Sequence, residues 1–136
     1  MSMPARHTEG TFTVDTWQPD TLADDGGLTV QRVHLTKTFD GGMAGTGIVD
    51  LVSASVDGVP TAYVAIERLE VSLDDRSGRF LLQHAAPSGD LPIRLSVVPG
   101  SGREGLAGLR GEFSIAVTDD GAHTYSFDYD VDAADG

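Results

Sequence analysis

Glu67 and His84 are the two residues of this sequence whose type and placement point to chemistry. Both lie in a hairpin from Tyr63 to Ala86, YVAIERLEVSLDDRSGRFLLQHAA. Leu69, Val71 and Leu73 share one face of its first arm, and Phe80 and Leu82 share one face of its second. Alternation of this kind marks half-buried strands, because successive side chains point to opposite sides. The same parity turns Glu67 and His84 inward. Pairing Leu73 with Gly78, Val71 with Phe80 and Leu69 with Leu82 leaves a four-residue loop, Asp74 to Ser77, a common hairpin length. That register sets Glu67 opposite His84; one two residues longer sets Leu69 there instead. A buried acid and a buried imidazole each resist ionisation unless one supplies the other's partner. Facing each other in a dry cavity, the two could move a proton on a bound molecule, either serving as base. The plainer account is a satisfied structural pair, or Glu67 held by a neighbouring arginine to pin the sheet.

Tyr63, Phe80, Tyr125, Phe127 and Tyr129 share the inward parity and form the candidate ligand-binding face. Aromatic residues also dominate ordinary cores, and a buried tyrosine hydroxyl needs a partner in either role. Arg68 falls on the opposite parity and is expected outside, in a salt bridge or a subunit contact. The PGSGREG run at 99–105 lacks the Gly-Lys-Ser/Thr ending and the following helix of a phosphate loop, so nucleotide binding is set aside. Its glycines instead suit a tight corner that lets Leu106 and Leu109 plug one barrel end. His7, His34, His84 and His123 show no short metal-ligand spacing, and no metal site is expected. Ser101 between two glycines is not a nucleophile elbow. Cysteine is absent, which removes disulfides, thiolate ligands and cysteine nucleophiles.

The elements that must position these residues are short strands. Met1 to Thr8 reads as a tail and Glu9 to Trp17 as the first strand. QPDTLADDGG reads as a loop, and Leu28 to Phe39 as a second strand with a parity change, hence a bulge, near Arg32-Val33. The second strand's later parity groups Val33, Leu35, Lys37 and Phe39. Asp40-Gly41-Gly42 turns into a third strand, Met43 to Val56, where Gly45 and Gly47 suggest close approach or a bend. Asp57-Gly58 signals a tight hairpin. Beyond the Tyr63–Ala86 hairpin come strands at Leu91 to Val98, Gly111 to Thr118 and His123 to Val131, with Pro92 at a strand start. The last five residues form an acidic tail. Eight antiparallel strands with no amphipathic helix predict one domain, 9–131, closed as a single eight-stranded antiparallel β-barrel. A two-sheet β-sandwich is the alternative.

At 136 residues and 40% hydrophobic, the chain can bury one good core. Its formal charge is −12, from 21 acids against 9 Lys plus Arg, which repels nucleic acid and anionic lipid. No apolar run is long enough for a membrane helix. The start, MSMPARHTEG, lacks an apolar signal region, so the cytoplasm is the expected compartment. Ala62, Val64 and Ile66, beside Val52 and Ala54, make an outer face drier than a lone barrel needs, and a homo-oligomer is expected.

The runs ERLEVSLDDRSGRFLLQH (67–84), VVPGSGREGLAGLRGEF (97–113), GTFTVDTW (10–17) and GTGIVDL (45–51) resemble an uncharacterised bacterial family, domain of unknown function 3224. That resemblance implies a barrel like allene oxide cyclase. The GSG-x4-AGLRG run at 100–111 is also similar to the glycine-rich loop that cyclases and dirigent proteins of that architecture carry. It further implies a hydrophobic cavity and no cofactor, while one architecture hosts many activities. The expected function is therefore binding of a small, largely apolar molecule, with cofactor-free isomerisation or cyclisation. A carrier or sensor without chemistry and a filled barrel serving assembly are the rivals.

Overall fold

The computed structural model describes residues 6–87 and 93–131. Nine strands run in chain order: β1 (Arg6–Asp25), β2 (Leu28–Gly41), β3 (Met43–Val56), β4 (Val59–Leu73), β5 (Arg76–Pro87), β6 (Ile93–Val97), β7 (Arg103–Glu104), β8 (Leu109–Val117) and β9 (His123–Val131). They pair antiparallel in the order β4-β3-β2-β1-β9-β8-β6-β5, and β4 pairs again with β5, so eight strands close a ring. The two-residue β7 pairs with β5 beside Gly78 and Arg79. Where the ring closes, no sheet edge is left. The single closed sheet meets the barrel expectation and leaves no second sheet for a sandwich.

β2, β4, β5 and β9 alternate with a period of two. Reading upward from one end, β2 presents Phe39, Lys37, Leu35 and Val33 inside, and β4 presents Leu73, Val71, Leu69, Glu67, Ala65 and Tyr63. β5 contributes Gly78, Phe80, Leu82 and His84, while β9 contributes Tyr129, Phe127, Tyr125 and His123. The lower end is packed solid by Phe39, Met43, Leu69, Leu73, Phe80, Leu82, Phe113, Phe127 and their neighbours. Leu106 and Leu109, on the glycine-rich segment, are fully buried in that cluster and close the lower end, as the sequence suggested. A separate, smaller apolar cluster of Val33, Leu35, Val49 and Ala65 lines the upper end.

Four sequence expectations need correction. The hairpin loop is two residues, Asp74-Asp75, not four: Leu73 pairs with Arg76, Val71 with Gly78, Leu69 with Phe80 and Glu67 with Leu82. Asp74 takes a positive φ of 57°, which aspartate tolerates better than most residues, so a short turn closes without glycine. The segment read as a loop, 18–25, continues β1 and pairs with β2 through Asp25↔Leu28. Its residues are exposed on both faces, so it carries no apolar alternation to read. The bulges lie in β1, at the register shifts between Val14 and Thr16 and between Thr21 and Ala23, while β2 pairs with β3 without a shift. Finally, Arg6 to Thr8 belong to β1, paired with Tyr129 to Phe127, rather than to a tail. Leu91, Pro92, the first five residues and the acidic end fall outside the described residues.

Above Phe12, β1 pairs with β2 but with no other strand among the described residues. Thr13 to Asp25 is thus an edge, and it holds Pro19 together with both bulges. Among the described residues no helix is long and apolar enough to cross a membrane.

Candidate functional site

Glu67 and His84 meet inside the barrel although they are not opposite each other. Glu67 pairs across the ladder with Leu82, and His84 with Ala65. Diagonal neighbours on one face are within reach of long side chains, and His84 Nε2 lies 2.9 Å from Glu67 Oε1. Both are buried, with relative exposures of 1% for Glu67 and 4% for His84. A third group, Lys37 at 6%, joins them from β2. Its Nζ donates to the same Glu67 oxygen at 3.4 Å and sits 4.7 Å above the Phe12 ring and 5.9 Å from that of Phe39. Burial pushes the Glu67 carboxyl up, but the His84 hydrogen bond and the Lys37 charge together outweigh it. The net result is a carboxyl below the usual glutamate range.

The sheet makes room for this carboxylate at one place. A Cβ on Gly47 would stand 2.6 Å from Glu67 Oε2 and 3.0 Å from Phe39 Cε1. Oε2 is itself buried and has no hydrogen-bond partner among the described residues. Gly45, two residues earlier on the same face, has φ 151°, and a Cβ there would press on the Glu70 carbonyl oxygen at 2.2 Å. The two alternate glycines therefore mark close approach, as their spacing suggested.

An ionised carboxylate only accepts hydrogen bonds, so the ring nitrogen facing Glu67 carries the proton. The opposite nitrogen, Nδ1, lies 3.4 Å from the Tyr63 hydroxyl, which donates to it when the ring is neutral. A connected row results: Tyr63 hydroxyl, His84, Glu67, Lys37. Above it opens a cavity of about 230 Å³ whose lining includes Phe12, Trp17, Leu35, Lys37, Val49, Leu51, Tyr63, His84, Ile115 and His123. A more open trough of about 630 Å³ lies along the outward residues of β3 to β6, including Asp50, Val52, Val64, Ile66 and Arg94, and touches His84 from the other side. The mouth is the better site, because there Lys37, Tyr63 and His84 face one apolar space.

The remaining sequence candidates are placed as follows. Tyr63 lines the mouth. Phe80 stacks on Phe127 at 5.9 Å in the packed lower core. Tyr125 uses its hydroxyl on the Asp40 and Met43 carbonyls and accepts from the Met43 amide. Tyr129 donates to the Asp74 carboxylate, and burial together with that carboxylate pushes its phenol up to about 12. Arg68 is outside, 3.9 Å from Asp50, as expected. His34 bonds Asp50 on the outer surface at 2.7 Å, while the His123 ring lies tilted against Phe12 at the mouth, so His34, His84 and His123 do not converge. Lys37 is the residue that sequence reasoning left unassigned. Its signal was present, since it shares a parity with Val33, Leu35 and Phe39, but a lysine in a strand reads as a surface residue.

No curated protein matches this chain. A solved structure from Shewanella oneidensis MR-1, described as a protein of unknown function from the DUF3224 family, is similar to it. It shares 33% identity and a TM-score of 0.83, over 95% of this chain and 98% of that one. The model of the family described as "Protein of unknown function (DUF3224)" matches residues 8–129, and the chain belongs to that family.

Proposed function

We propose that this protein binds a small, largely apolar molecule in the mouth of its barrel and isomerises or cyclises it by proton transfer, without a cofactor. The observation that carries this reading is the buried row ending the apolar cavity: Tyr63 hydroxyl to His84 to the Glu67 carboxylate. In that row Glu67 does what the buried acid of a catalytic triad does. It fixes the imidazole tautomer and stabilises the imidazolium once a proton arrives. His84 Nδ1 is then the acceptor on the cavity side, and the Tyr63 hydroxyl is placed to steady the proton or hand it back. At about 230 Å³ the space is smaller than the roughly 300–1,000 Å³ of drug-sized sites, so the ligand is small. The apolar wall of Phe12, Leu35, Val49, Leu51 and Ile115 selects a body with few polar groups. The expected compartment remains the cytoplasm.

A screen of small apolar compounds, followed on the methyl and ring signals of the lining residues and then by product analysis, tests the reading. Turnover that disappears in His84→Gln supports it. Binding without turnover leaves a carrier or sensor. No shift at any lining residue would sink ligand binding and leave the assembly reading.

A further inference from the structure

We infer that the molecule taken by the mouth is a neutral carbonyl compound, its oxygen received by the Lys37 ammonium and its adjacent C–H presented to His84. This rests on the mouth being the ligand site. Lys37 is a long cation brought inside a barrel, which no packing need explains. An ammonium has three N–H donors, and among the described residues the Glu67 oxygen at 3.4 Å is the acceptor it reaches. Its other neighbours are the faces of Phe12 and Phe39, which attract a cation but leave donor capacity toward the cavity. Those partners suit a cation, so Lys37 is read as a donor and not as an amine nucleophile.

Charge selects the ligand further. Lys37 and Glu67 balance each other, and a ligand with its own net charge would bring an unpaired one into a buried site. A neutral oxygen acceptor on an apolar body meets both conditions. A ketone, an aldehyde or an enone qualifies; a hydrocarbon offers nothing to Lys37, and a polyol would bring more hydroxyls than the mostly apolar wall can bond.

The chemistry then closes without oxidant or reductant. Once the Tyr63 hydroxyl turns its O–H away from it, His84 Nδ1 takes the proton from the carbon next to the carbonyl. The C–H electron pair becomes a carbon–carbon double bond, and the carbonyl π pair moves to oxygen, where the Lys37 N–H groups stabilise the developing charge. The imidazolium so formed is held by Glu67. The imidazolium N–H exchanges with solvent at the open mouth, and its proton then goes to another carbon of the conjugated system, the pair flowing back to reform the carbonyl and complete an isomerisation.

Cyclohexenone, cyclohexenol and cyclohexene, titrated separately into the protein and followed by NMR, test this. The ketone is expected to bind at least about tenfold tighter than the hydrocarbon, the value of one good hydrogen bond to a charged donor. Lys37→Met, or Lys37→Met/Glu67→Gln if the single variant does not fold, should remove that preference and keep hydrocarbon binding. In D₂O the wild type should place deuterium next to the ketone faster than buffer does, and His84→Gln should not. Equal binding of ketone and hydrocarbon overturns this inference and leaves the cavity reading intact. Failure of all three probes to bind overturns both. Preference for the ketone without deuterium exchange refutes the proton-transfer step.

Discussion

Replacing Glu67 by Gln keeps the side chain's shape and one acceptor but leaves the buried Lys37 ammonium without a counter-charge. Breaking a buried pair from one side costs about 3–5 kcal/mol, so Glu67→Gln is expected to lower stability by that order in urea unfolding at neutral pH. Lys37→Met added to it removes the orphaned charge and should recover most of the loss, a coupling that a double-mutant cycle reads directly. Acid separates the same variants. The Glu67 carboxyl is held below its usual range in the fold, so its contribution is complete above the unfolded value near ~4.3. It is lost as pH falls through the lower folded value. The melting temperature of the wild type should therefore drop more steeply below about pH 4 than that of the double variant. Gly47→Ala tests the space beside Oε2. Its Cβ would meet a carboxylate oxygen 2.6 Å away, and because His84 and Lys37 hold that oxygen's group, it cannot swing clear. A loss of about 1–3 kcal/mol is expected, as for overpacking in a filled core.

The strands divide their work along their length, and the elements respond accordingly. Leu106→Ala, in the segment that plugs the lower end, removes a fully buried side chain and should cost about 2–5 kcal/mol. The Arg79–Glu104 pair beside it is close, at 2.7 Å and 3.1 Å, but more than half exposed on both sides. Arg79→Ala should therefore cost no more than about 1 kcal/mol in the same unfolding measurement. How far the fold was legible follows from such contrasts. Parity alone named Glu67 and His84 as inward, since one face of their strands is buried and the period of two admits no compromise. Parity could not fix the register, because a slip of two residues leaves every side chain on its own face. The two-residue turn at Asp74-Asp75 escaped for that reason, and the pair met along a diagonal instead of face to face. The upper half of β1 was illegible for a different cause: with both faces in solvent, nothing in Gln18 to Asp25 had to alternate.

At the scale of the molecule, the unfinished surface is the outer row Val52, Val64 and Ile66, all largely exposed. We propose that a second copy covers it, and sedimentation at high protein concentration should show an oligomer; monomer alone would remove the idea. The route of that association is narrowed by the free edge of β1. A strand edge with one partner is a template on which any neighbouring chain can add itself, and unchecked addition ends in precipitate. Here Asp15 and Leu22 sit at the register shifts that kink the edge, Pro19 withholds an amide, and Asp20, Asp24 and Asp25 place negative charge along it. Such devices keep sheets from growing. These guards leave the faces, rather than the hydrogen-bonding edge, to the proposed contact with a second copy. Light scattering of Pro19→Val/Asp20→Val, with both guards gone, should climb with time where the parent stays clear.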